Sequence, residues 1–134
     1  MELKIPSTKR LIRWAGLAIL LLLAVGVVRE AMWRMSYYLD DSTPSPNDAI
    51  LADIRSLPQG SALPYGQGVY LRSQWALSQR YQSDLVFAGH CHLLRVIWDS
   101  DTKLRIGCSV REGEPQALKK ESHDVTIEVK LFRR

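Results

Sequence analysis

The chain of 134 residues has two cysteines, no block of like charge and none of the short signatures that mark common enzymes. The lack of a C-x-x-C pair argues against a thioredoxin-like redox site. Without G-x-S-x-G, H-E-x-x-H or a glycine-rich phosphate loop, the familiar routes to hydrolase, metalloprotease and nucleotide chemistry are closed. Two cysteines are too few for a disulfide-dense miniprotein. No repeat of about 20–50 residues is present, which excludes solenoids and propellers. The domain also lacks a basic surplus. Of 18 basic and 14 acidic groups, four and one fall in residues 1–28, leaving 14 and 13 for the rest. A nucleic-acid-binding domain carries its positive charge on the folded part, so no nucleic-acid partner is expected.

What is present is an apolar run. Trp14 to Val28 holds no charge. Fifteen helical residues span only about 22 Å, less than the roughly 30 Å hydrocarbon core. Leu11 and Ile12 extend the run on one side, with Arg13 able to snorkel; Ala31, Met32, Trp33 and Met35 continue the pattern on the other. Trp14 and Trp33, with Tyr37 and Tyr38, suit the two interfacial aromatic belts. The sequence therefore predicts a cytoplasmic tip over 1–10 and a transmembrane helix over 11–30. A cleaved signal peptide is the rival, with Ala24-Val25-Gly26 as its cleavage site. No cysteine lies just after the run, which excludes a bacterial lipoprotein. Lys4, Lys9, Arg10 and Arg13 precede the span, so the positive-inside rule keeps the N-terminus cytoplasmic and exports the remainder. A disulfide persists only in an oxidising compartment, which for a bacterial inner-membrane protein means the periplasm.

The exported part is expected to open with a polar stalk over 31–45, followed by a β-rich domain over 46–134. Ser45, Pro46 and Asp48 look like the start of a helix, and Ile50, Leu51, Ile54 and Leu57 form one apolar stripe. They predict a short amphipathic helix over 46–57, lying on the domain or docking a partner. Residues 58–68 read as a loop, 69–72 and 85–88 as strands, and 74–83 as ambiguous between helix and strand. Leu94, Val96 and Trp98 alternate with Arg95, Ile97 and Asp99, and beyond a turn at 99–102 Leu104, Ile106, Cys108 and Val110 alternate with Lys103, Arg105, Gly107 and Ser109. That predicts a β-hairpin with one buried face. Residues 111–123 read as a charged excursion, and 125–131 as a last strand. The expected fold is mainly β with one short helix: a small antiparallel sheet behind a single transmembrane helix.

Chemistry-bearing residues are few. Gly89-His90-Cys91-His92 is the densest group. A Cys91–Cys108 disulfide would close a loop of about 17 residues, worth on the order of 3 kcal/mol in the chain-entropy model. Strict alternation puts Cys91 on the outer face and Cys108 on the inner, so the pairing calls for a bulge near Gly89 or a strand starting only at Leu93. The competing use is a zinc or copper site built from His90, His92 and His123 with the thiolates. Cys91 with His123 and Asp124 can also be drawn as a nucleophile, base and orienter, on residue type alone. No metal and no cofactor are favoured. Trp98 belongs to the core. Trp75, with Arg80 and Tyr81, has the composition of a partner-binding hot spot, against core packing as the plainer use.

Leu85-Val86-Phe87-Ala88, then Val96-Ile97-Trp98 with Asp99 and Asp101 in the turn, then Leu104-Arg105-Ile106, resemble a family of small uncharacterised bacterial proteins with an N-terminal anchor, a short stalk and one β-rich extracytoplasmic domain. A terminal strand like 125–131 follows in that family. The resemblance covers about 50 residues. It departs upstream, where the family's Ser-Pro-Asn/Asp-Gly turn is Leu57-Pro58-Gln59-Gly60. The family has no assigned reaction, so the resemblance implies an architecture alone. The expected function is non-enzymatic: an accessory subunit whose periplasmic domain binds an envelope protein. The alternatives are a membrane-anchored immunity protein and a metal-binding domain.

Overall fold

In a computed structural model, which describes residues 4, 5, 7–56 and 66–133, one long helix leads into a seven-stranded sheet. Helix α1 (Thr8–Ser36) has 29 residues, about 43 Å of axis. None of its residues is buried, and it is long and apolar enough to cross a membrane. The sheet contains β1 (Tyr38–Pro44), β2 (Ile50–Ser56), β3 (Gln67–Ser73), β4 (Asp84–Ser100), β5 (Lys103–Ala117), β6 (Glu121–Ser122) and β7 (Val125–Phe132), in the order β1-β2-β3-β4-β5-β7-β6. A four-residue helix, α2 (Gln79–Gln82), lies between β3 and β4. The mainly-β architecture with one short helix is as the sequence predicts, and every pairing is antiparallel except β5 with β7.

The short helix is not where the pattern put it. Of residues 46–57, expected helical, the described ones, 46–56, hold a turn and strand β2. Ser45, Asn47 and Asp48 shape that turn. Ser45 Oγ donates to Asn47 Oδ1 and accepts from the Ile50 amide, and Asp48 adopts φ 58°. Side chains of this kind satisfy a tight turn as readily as a helix end. The stripe misled because β2 is covered on both faces. Ala52 and Ile54 enter the apolar core, while Asp53 and Arg55 are equally buried on the other side. The stalk expected over 31–45 is likewise replaced. Helix α1 runs to Ser36 and β1 starts at Tyr38, so one residue separates helix from sheet. Residues 57–65, which include most of the loop expected over 58–68 and the Leu57-Pro58-Gln59-Gly60 turn, lie outside the described residues.

The sheet is strongly coiled, and the pairing requires it. Lys103 pairs with Thr126, while Ala117 pairs with Phe87. A straight strand from 103 to 117 would cover about 46 Å, yet the chain from 117 to 126 reaches at most about 30 Å. The β4–β5 ribbon must therefore bend. Its register slips between Ala88 and Leu93, and Gly113 takes φ 70° in the facing stretch. A Cβ on Gly89 would stand 3.0 Å from Pro115 Cβ, so the bend uses the missing side chain. The charged stretch 111–123, expected as a loose excursion, is thus mostly the far end of β5, solvent-exposed but paired. The same slips carry Cys91 to the inner face, removing its conflict with Cys108. The pair stands at disulfide distance, with Cα atoms 5.5 Å apart.

Coiling brings remote elements together around the core of Ile54, Val69, Leu71, Val86, Phe87, Leu104, Ile106 and Val125. Trp98, half-buried against it, donates its indole N–H to Thr43 O at 3.0 Å, tying the end of β4 to β1. The Asn47 amide donates to Asp101 Oδ1 at 2.8 Å, joining the two turns. Between β6 and β7, His123 and Asp124 both take positive φ, 52° and 60°, the two-residue geometry that favours Asn-Gly. Asp124→Gly should relieve this conformation and raise unfolding stability by about 0.5–1 kcal/mol, read as an upward shift in Tm.

Candidate functional site

The back of β2 and β3 is where α1 meets the sheet. Arg55 is fully buried there. Its Nη1 donates to Tyr37 O at 2.8 Å and its Nη2 to Gln79 Oε1 at 2.5 Å, so one guanidinium holds the end of α1 and α2 together. The Trp33 ring lies 4.8 Å from its central carbon, a cation–π contact. Trp33 also stacks on Tyr37 and meets Tyr70 edge-on, with centroids 6.1 Å apart for the latter pair. Of the four aromatics assigned to the membrane interface, Trp33 and Tyr37 are thus packed on the domain, while Trp14 and Tyr38 are exposed.

Asp53, also fully buried, supplies the countercharge. It accepts from Ser42 Oγ at 2.6 Å and from Arg72 Nε at 2.5 Å, and stands 3.8 Å from Arg55. Burial pushes the Arg55 pKa down and the nearby Asp53 carboxylate works against that. Arg55 stays a cation, since a guanidinium does not give up its proton in proteins. Burial, with Tyr37 adding to it, lifts Tyr70 to about 12, so its hydroxyl is neutral throughout the physiological range. At the end of the apolar run, Glu30 accepts from Ser78 Oγ at 2.8 Å, from the Gln79 amide at 2.6 Å and from Arg34 Nε at 3.2 Å. It caps the first turn of α2 from a different helix.

A cleft of about 440 Å³ opens beside α2, and among its walls are Trp75, Tyr81, Asp84 and His123. It unites residues the sequence had put in separate groups. Trp75 and Tyr81 are exposed, so core packing does not account for Trp75. Arg80 lies 5.0 Å over the Tyr81 ring. Asp84, which sequence reasoning missed, accepts from Lys119 Nζ at 2.6 Å and Ser122 Oγ at 2.7 Å. Those hydrogen bonds, that to Lys119 foremost, hold its carboxyl below the usual range. Ser122 Oγ is also 3.3 Å from His123 Nδ1. Ser, His and Asp are adjacent, but the hydroxyl proton goes straight to the carboxylate. The imidazole does not bridge the two, so the order differs from a hydrolytic triad.

His90 lies in β4 beside Gly66, and His92 is exposed one residue beyond Cys91. Among the described residues no three His, Cys, Asp or Glu side chains gather as a metal-holding group. The two thiols are bonded to each other, which takes both from the ligand set and from the nucleophile drawn with His123 and Asp124. No family model, no curated protein and no solved structure matches the chain.

Two outcomes follow. Arg55→Ala removes the tie between α1, α2 and the sheet and should cost about 3–5 kcal/mol, seen as a lower denaturant midpoint. Asp84 is ionised in the fold at pH values where the unfolded chain, with a carboxyl pKa near 3.9, protonates. Its contribution is complete above about pH 5 and falls away as pH drops through the lower folded-state value. Asp84→Asn should therefore flatten the acid limb of the stability curve relative to the native chain, measured by unfolding across that window.

Proposed function

We propose that the chain is a non-enzymatic, single-pass protein of a bacterial inner membrane, with its N-terminus in the cytoplasm and its β domain in the periplasm, and that the domain binds a protein partner as an accessory subunit of an envelope complex. The observation that carries the reading is the exposed Trp75, with Tyr81, in the wall of a cleft fastened to the end of α1. A large aromatic beside a guanidinium is the composition of binding hot spots. Confinement to a membrane raises the effective concentration of any partner held in the same bilayer, so a modest contact suffices. The lysine and arginine excess on the N-terminal side of the apolar run supports the orientation, and the Cys91–Cys108 pair suits an oxidising compartment.

The test is to tag the C-terminus, crosslink in cells, extract membranes in mild detergent and identify what co-purifies. An envelope protein in stoichiometric amount is the expected result, with Trp75→Ala lowering its recovery at least about tenfold. A secreted toxin as the captured protein would make the chain an immunity-type inhibitor instead. A solitary band would overturn the partner-binding reading.

A further inference from the structure

The loop that carries the cleft has another side. Leu77 is 91% exposed, more than any large hydrophobic side chain of α1. A lone exposed leucine needs no explanation, but the place of this one does. With Tyr81 it faces Leu22, Leu23 and Val27 of α1 across an apolar groove of about 650 Å³. Leu23 precedes Glu30 by seven residues, about 10 Å along the helix axis and towards the middle of the apolar run. Arg29 and Glu30 are the first charged residues after Arg13. Leu77 is thus opposite helix surface that, in a spanning helix, faces hydrocarbon.

The loop is held in this position. Ser78 Oγ and the Gln79 amide both donate to Glu30, and Arg55 fastens Gln79 to the sheet. The neighbouring polar groups are arranged by height. Arg34 shares the upper part of the groove, and Arg29 and Arg80 line a second cleft beside Trp33 and Tyr37. Cations at that level suit phosphate headgroups, with apolar side chains below them.

We infer that Leu77 and Tyr81 form a second membrane contact, seated in the same leaflet as the C-terminal end of α1, with acyl chains of the bilayer filling the groove between them. The inference rests on α1 crossing the membrane. Its occupant follows from the groove's own wall, which is the lipid-facing side of that helix.

The test uses the full chain with its cysteine pair closed, in vesicles of phosphatidylethanolamine and phosphatidylglycerol. A nitroxide is placed at Leu77→Cys, at Tyr81→Cys, at Leu20→Cys within α1, and at Glu128→Cys on β7, each in its own variant. Collision with oxygen is compared with collision with a water-soluble nickel chelate. Labels at 20, 77 and 81 are expected to meet oxygen several-fold more often than nickel, and the label at 128 the reverse. Labels at 77 and 81 that behave like 128, while 20 stays in lipid, would overturn the inference and leave the span intact. A label at 20 in water would remove the span, and the inference with it. Labels at 77 and 81 shielded from both reagents would mean that protein covers the loop, which also overturns it.

Discussion

The junction between helix and sheet depends on one buried cation. Arg55 reaches the last carbonyl before β1, the side chain that begins α2, and the face of Trp33. Each is an element that the sheet alone would not hold. A buried guanidinium is costly to desolvate, and it persists here because its hydrogen bonds and Asp53 return most of that cost. Replacing Arg55 by an apolar residue would leave Asp53 its bonds to Arg72 and Ser42, but nothing would then fix where α1 leaves the sheet. The charged pair serves geometry more than stability.

The fold answers the problem of a small domain in a similar way. A domain running only from Tyr38 to Phe132 cannot bury a large core, and this sheet gains enclosure by bending its longest ribbon back on itself. The bend places Cys91 against Cys108 and Trp98 against β1. One crosslink and a single indole then close a core that a flat sheet of this length would leave open on one side. The apolar face of the sheet is spent on this closure, while its back is spent on the helix junction.

The parts legible in the sequence were those with one buried face. The alternation of Leu94, Val96 and Trp98, and of Leu104, Ile106 and Cys108, announced the β4–β5 hairpin, and the uncharged run announced α1. The bulge near Gly89 could also be anticipated, because the two cysteines demanded it. What escaped were segments buried on two faces. In β2, Asp53 and Arg55 looked like the solvent side of a helix, when they were the inner lining of a junction. The candidate cleft was half visible. Trp75, Arg80 and Tyr81 stood out by composition, but Asp84 and Glu30 did not. Their importance comes from Ser122 and Ser78, which are 38 and 48 positions away and which no local pattern connects to them.

One residue, Tyr37, separates α1 from β1, and its carbonyl is held by the same guanidinium that grips the sheet. A helix joined this tightly cannot swivel beneath its domain. Turning α1 about its axis turns the whole sheet by the same angle, and tilting it swings the β4–β5 turn through an arc. Helix and sheet therefore move as one piece for as long as the contacts of Arg55 and Glu30 hold.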